Sequence, residues 1–206
     1  MKNIILVTLM ITLLSCKEKP KDTESKAKAD VTTEIASEQS FVWEGANLYF
    51  LLTDRFNNGD SSNDVNFNRT KTTGKLRGFE GGDLKGITEK IKDGYFTDLG
   101  INAIWMTPVV EQIHGATDEG TGATYGYHGY WAKDWTNIDP NFGTKEDLHE
   151  LVKEAHLRGI RIVLDAVVNH TGPVTNQDPV WPEEWVRTDK QCTYDGYENT
   201  VSCTLV

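Results

Sequence analysis

The chain has 206 residues, of which 38% are hydrophobic, 25% charged and 10% aromatic, and it carries a formal net charge of -10 at pH 7. That is globular composition with enough apolar residues for a real core. An acidic chain without a basic stripe argues against nucleic acid, whose phosphates it would repel, and suits a neutral, hydroxyl-rich ligand.

Met1-Lys2-Asn3 and the apolar run Ile4–Leu14 have the charged start and short core of a secretory signal. The run is too short to span a bilayer as a helix. It ends in Leu13-Leu14-Ser15-Cys16, which resembles the lipobox of bacterial lipoproteins. That resemblance implies cleavage before Cys16, lipidation of its thiol, and a membrane-anchored product on the periplasmic or cell-surface face. An ordinary signal peptide with a stray cysteine is the alternative. Residues 16–40 are polar, charged and free of aromatics. Such a stretch buries too little apolar surface to offset its ordering entropy, and is expected to be a tether.

Folded sequence is expected from about Phe41. Asn47–Thr53 is a short apolar run of strand formers and predicts the first strand. A loop rich in Asn, Asp, Thr and Gly follows, from Asp54 to Gly82. Asp83 is placed to cap a helix whose Leu84, Ile87 and Ile91 share one face. Gly94 interrupts that pattern, Tyr95, Phe96 and Leu99 resume it, and Gly100 ends it as a left-handed cap. Asn102–Thr107 predicts a second strand, closed by Pro108. A long Gly/Tyr/Trp loop runs to Gly143. Thr144, with Asp147 three residues on, starts the next helix as a relative of the capping box. Leu148, Leu151, Val152 and Ala155 form its buried stripe, and Gly159 stops it.

Ile160–His170 reads as a fully buried strand that gives out at Asp165, Asn169 and His170. A run this apolar suits a parallel strand covered on both faces. In parallel α/β folds ligands collect at the carboxyl ends of such strands. Taken alone, the segment is equally well a core strand ending in turn residues. The order strand, helix, strand, helix, strand predicts the first part of a parallel α/β sheet or barrel. Residues 172–206 are polar and turn-rich, with no clear helix. Their Cys192 and Cys203 could form a disulfide in an oxidising compartment. The tail's acidic residues, Asp178, Glu183, Glu184, Asp189, Asp195 and Glu198, lie on no predicted strand.

Three motifs in series resemble the α-amylase family, glycoside hydrolase family thirteen. Thr53-Asp54-Arg55-Phe56-Asn57-Asn58-Gly59-Asp60 is similar to the segment after that family's first barrel strand. Tyr127-His128-Gly129-Tyr130-Trp131 is similar to its Y-H-G-Y-W segment after the second. Asp165-Ala-Val-Val-Asn169-His170 resembles its D-x-x-x-N-H signature at the end of the third. The likeness runs from about Asn47 to Gly172 and implies a TIM (β/α)₈ barrel. The domains implied are a lipoprotein signal over 1–15, a tether over 16–40, and the first three βα units of the barrel over 41–171. The start of a domain inserted after the third strand would occupy 172–206.

The resemblance also implies roles. His170 would donate a hydrogen bond to a sugar hydroxymethyl group, and Tyr130 would stack on that ring. His128 and Trp131 would line neighbouring glucose positions, and Asp165 would hold nearby groups through charge-assisted hydrogen bonds. Asn169 would be a calcium ligand. Asn58, Asp60, Asn63, Asp64, Gly81 and Asp83 resemble a second calcium loop, found in cyclodextrin glucanotransferases and some amylases. A solvated Asn/Asp turn cluster is the alternative for that loop. His114, His149 and His156 are expected to be ordinary core or surface histidines.

Retaining glycosidases need two carboxylates close about the scissile bond. The family carries its nucleophile, acid/base and stabilising carboxylate on the fourth, fifth and seventh strands, and those signatures are absent here. The expectation is part of a lipid-anchored hydrolase of α-1,4-glucans, inert by itself. The alternatives are another activity of the same family (neopullulanase, cyclomaltodextrinase, glucanotransferase) and a non-catalytic glucan-binding surface lipoprotein.

Overall fold

The computed structural model describes residues 41–181. The expected signal, Cys16, the tether, Cys192 and Cys203 lie outside the described residues. The chain divides into two compact units, Met1–Trp43 and Glu44–Val206. In the first, Phe41 meets Trp43 edge-on. All elements named below belong to the second.

In chain order they are β1 (Leu48–Leu51), α1 (Thr53–Phe56), α2 (Leu84–Lys92), α3 (Tyr95–Asp98), β2 (Ala103–Met106), β3 (Val110–Gln112), β4 (Thr117–Asp118), β5 (Ala123–Thr124), β6 (Ala132–Ile138), α4 (Lys145–Leu157) and β7 (Arg161–Leu164). β1, β2 and β7 form a parallel sheet in that order, with Tyr49 opposite Ile104 and Ile104 opposite Ile162. Side chains alternate between the faces of a strand. Tyr49, Leu51, Ile104, Met106 and Ile162 therefore share the face that packs with Leu84, Ile87 and Ile91 of α2 and Leu151 and Ala155 of α4. This is a βαβαβ unit with its helices on one face of a parallel sheet, the opening of an α/β barrel.

Both helix starts follow their sequence. The Asp83 carboxylate accepts the Gly86 N–H at 2.6 Å. Thr144 and Asp147 form a complete capping box, Thr144 Oγ1 accepting the Asp147 N–H at 3.1 Å and Asp147 Oδ2 accepting the Thr144 N–H at 2.8 Å. Gly94 (φ 90) and Gly100 (φ 70) take left-handed backbone where the helical pattern breaks and stops.

The structure corrects three expectations. The last strand ends at Leu164, and it is half-buried with Leu164 51% exposed. It pairs only with β2 among the described residues, so one of its edges has no covering neighbour there. The loop from Asp54 to Gly82 begins with the short helix α1. The long loop before Gly143 carries two small antiparallel pairs, β3 with β6 and β4 with β5.

The β3–β6 pair is held by a buried polar knot. Arg69 lies on the first loop, and its Nη1 and Nη2 donate to Asp139 Oδ1 and Oδ2, each at 2.8 Å. Nη2 also donates to the carbonyls of Gln112 (3.0 Å) and Ile113 (3.1 Å), and Nη1 to Asn141 Oδ1. Both charged side chains are almost fully buried. Asn141 Nδ2 in turn donates to the carbonyls of Asn63 and Asp64. No helix among the described residues is long and apolar enough to cross a membrane.

Candidate functional site

The carboxyl ends of β2 and β7 meet the turn Gly126–Trp131. That turn requires glycine at its centre, because Gly129 has φ 87 and a Cβ there would lie 2.3 Å from the Pro108 carbonyl oxygen. Gly129→Ala should destabilise the fold by about 1–3 kcal/mol and displace Tyr130. A denaturant titration checks the first effect and the Tyr130 ring resonances the second. A midpoint equal to wild type would contradict it.

Tyr130 is fixed at both ends. Its Oη donates to Asp165 Oδ2 at 3.0 Å, and its carbonyl lies 3.0 Å from His170 Nε2, which is therefore the protonated nitrogen. Burial, reinforced by the bond to Asp165, raises the Tyr130 phenol above its ordinary pKa and keeps it a donor. Trp105 of β2 donates its Nε1–H to the same Asp165 oxygen at 3.2 Å. Asp165 thus joins the ends of two strands to the turn.

His128 closes the other side. Its Nδ1 accepts the Tyr130 N–H at 3.0 Å, which leaves the ring proton on Nε2. Burial, with Arg77, Arg55 and His170 nearby, lowers its pKa to about 4, so the ring is neutral at pH 7. The rings of His128 and Tyr130 are nearly parallel, 18° apart with centroids 5.9 Å apart, and Trp131 meets His128 edge-on. The backbone of Trp131 is clamped to β3, its N–H donating to Gln112 Oε1 at 2.7 Å and its carbonyl accepting from Ile113 at 2.9 Å.

The structure therefore gathers Tyr130, His128, Trp131, Asp165 and His170 into one wall. Asn169 lies beside them on an exposed bend. The wall offers flat aromatic faces and fixed polar tips, which can receive a ring with one apolar face and hydroxyl edges. Sequence reasoning missed Trp105 and Gln112, whose contacts join residues distant in the chain. It also passed over Asp178, which lies on no strand but is fully buried. Although burial opposes it, the N–H groups of His114 and Gly115 and the Thr175 hydroxyl hold its carboxyl below the usual range. His114 stacks on Phe67 and lies 2.8 Å from Glu111, while His149 and His156 sit exposed on α4.

The six residues of the expected calcium loop also converge. Asp83 Oδ1 accepts from the N–H groups of Gly59 and Gly86, and Asp83 Oδ2 accepts from the Asp60 N–H and Asn63 Nδ2. The Asp60 carboxylate is engaged by the Lys85 ammonium and by Ser62, which hold it down at about 2. Asn58 Nδ2 donates to Asp64 Oδ1 at 2.8 Å. Gly81 (φ 91) fits against this pair only as glycine, since a Cβ would lie 2.3 Å from Asn58 Nδ2. Asn63 Oδ1 is buried without a hydrogen-bond partner. An orphaned oxygen beside a carboxylate is a hard donor set that fits calcium. Asn58, Asp60, Asn63, Asp64, Gly81 and Asp83 supply that set, with the Asp60, Asp64 and Asp83 carboxylates each held by neighbouring donors. Among the described residues no group of three or more His, Cys, Asp or Glu is suited to hold a metal.

The family model described as "Alpha amylase, catalytic domain" matches residues 50–194. The periplasmic alpha-amylase of Escherichia coli (strain K12) is 49% identical over 142 residues, 67% of this chain and 21% of that protein. A cyclomaltodextrin glucanotransferase of Niallia circulans is 36% identical over 193 residues, 93% of this chain and 27% of that protein. Among solved structures, the cyclomaltodextrin glucanotransferase CldA has a TM-score of 0.58 at 39% identity, covering 68% of this chain and 29% of its own. An Anoxybacillus alpha-amylase has a TM-score of 0.52 at 39% identity, covering 64% and 26%. The chain thus spans about a fifth to a quarter of the length of the curated relatives it matches.

Proposed function

This chain belongs to the α-amylase family, and we propose that its Tyr130 wall grips one glucose unit of an α-1,4-glucan beside the bond that is cleaved. The observation that carries the reading is the double fixing of Tyr130, through Oη to Asp165 and through its carbonyl to His170. A ring held that way loses little freedom when a pyranose settles on it, so its contact area is available for binding. His128, neutral with its proton on Nε2, is a donor for a sugar hydroxyl. Asp165 works as a holder, since one of its oxygens already receives two side-chain donors.

The reaction supported is retaining cleavage of α-1,4-glucosidic bonds in starch or maltodextrins. The carboxylate pair it needs would come from outside residues 41–181. A second reading, transfer of the glucosyl chain to another sugar, is favoured by the likeness to the cyclomaltodextrin glucanotransferases. The two differ in whether water or a sugar hydroxyl takes the anomeric carbon. The reading is tested by incubating the intact protein with maltoheptaose. Shorter linear products support hydrolysis, and cyclic products support transfer. Neither cleavage nor measurable binding would overturn both.

The proposal includes export, in line with the periplasmic relative, and a lipid tether at Cys16. It also includes calcium, held by Asn58, Asp60, Asn63, Asp64, Gly81 and Asp83, with Asn169 as a ligand of another site. Calcium would there supply charge that draws the loop oxygens together. At about a hundred times its dissociation constant, calcium should stabilise the fold by about 2.7 kcal/mol. Melting the protein in excess calcium and in chelator checks this, and identical midpoints would count against it.

A further inference from the structure

We infer that Arg55 is a positioning residue of the sugar-binding wall, tying the turn at Leu76–Gly78 to the face of Tyr127 and through Tyr127 fixing the ring of His128. The assignment rests on the sugar reading of that wall. Arg55 sits in α1, directly after β1, and its guanidinium is engaged in three directions. Nη1 donates to Asp54 Oδ2 at 2.6 Å. Nη2 donates to the carbonyls of Leu76 at 3.0 Å and Gly78 at 2.8 Å. Its Cζ lies over the Tyr127 ring, 4.0 Å from the centroid. Tyr127 meets His128 edge-on, with centroids 5.2 Å apart and planes at 72°.

Each partner is itself held. Asp54 is fully buried and accepts the N–H groups of Glu80 and Gly81. Leu76 has φ 58, a left-handed backbone that a leucine adopts only under constraint. Capture of its carbonyl by Arg55 supplies part of that constraint. The Arg77 N–H to Gly74 carbonyl bond supplies another part. A lysine could keep the charge near Tyr127 but not the fork that reaches a carboxylate and two carbonyls together.

The arrangement has an electrostatic consequence. The cations near His128 are Arg77 and Arg55, with His170 across the wall. Arg77 pairs with Glu119 at 3.3 Å, and Arg55 with Asp54 and, at 3.9 Å, with Glu80. The aromatic neighbours are Tyr127, Tyr130 and Trp131. Burial and these cations together disfavour the imidazolium, so the Nδ1 that accepts the Tyr130 N–H stays unprotonated into mildly acidic solution.

The test compares wild type, Arg55→Met and Arg55→Lys as intact proteins. The His128 Cε1–H resonance is followed against pH without sugar, and maltoheptaose binding is measured by calorimetry. In Arg55→Met the titration midpoint should move up toward the ordinary histidine value. Its affinity at pH 7 should fall by about tenfold, a loss of about 1.4 kcal/mol. Arg55→Lys should keep the midpoint low yet still lose affinity several-fold. A wild type that binds maltoheptaose, with both variants matching it in midpoint and affinity, overturns the assignment alone. If Arg55→Met does not fold, undiminished affinity in Arg55→Lys overturns it. A wild type that does not bind maltoheptaose sinks the sugar reading, and the assignment falls with it.

Discussion

Arg69→Ala should lower the free energy of unfolding by about 3–5 kcal/mol, the loss expected when one partner of a buried ion pair is removed. The Arg69 side chain is 1% exposed and that of its partner Asp139 is fully buried. Its removal strands a carboxylate and takes the donor from the carbonyls of Gln112 and Ile113. Asp139 Oδ2 would keep the Gln112 N–H at 2.9 Å, which does not replace a cation. The knot spans the first loop, β3 and the end of β6, so its loss should release all three. Asn141, which shares Arg69, also holds the backbone of Asn63 and Asp64, so calcium affinity should fall in the same variant. Urea denaturation measures the first effect. A loss below about 1 kcal/mol would place the pair with solvent-screened surface bridges.

Tyr130→Ala should weaken maltoheptaose binding by about 2–3 kcal/mol, on the order of 30- to 150-fold, as expected for truncating a central aromatic anchor. Tyr130→Phe separates the two contributions of the side chain. It keeps the aromatic face and loses the bond to Asp165, which should cost about 1 kcal/mol. Calorimetry on both variants reads the difference. If Phe is as poor as Ala, the hydroxyl and not the face carries recognition. If Ala binds like wild type, the sugar lies elsewhere.

The parts of this fold written in local patterns were legible in the chain. Leu84, Ile87 and Ile91 recur at helical spacing, and Thr144 with Asp147 marks a helix start that the structure reproduces in full. The three parallel strands are short apolar runs, and the first two are found within two residues of their predicted bounds, whereas the third starts where expected but ends at Leu164, six residues before His170. The β3–β6 pair was not legible. β6 reads Ala-Lys-Asp-Trp-Thr-Asn-Ile, without a clean alternation, and its position is set by Arg69, about seventy residues before Asp139. Nothing local announces such a contact.

The same division runs through the site. Tyr130, His128, Trp131, Asp165 and His170 were singled out by motif, and the structure places them together. The residues that hold them were silent in sequence, because each works through a distant partner. Trp105 reads as one more apolar strand residue until its indole is seen on Asp165. Arg55 reads as part of a motif until its fork is seen over Tyr127. Asp178 reads as a turn acid until the N–H groups of His114 and Gly115 are found on it.

The central claim is that the ends of β2 and β7, with the turn at Gly129, build one surface shaped for a glucose ring. A crystal structure of the protein soaked with maltoheptaose tests it most directly. The prediction is a pyranose lying flat on the Tyr130 ring, with a hydroxyl within hydrogen-bond distance of His128 Nε2. Ordered sugar on another surface, with Tyr130 bare, would contradict it.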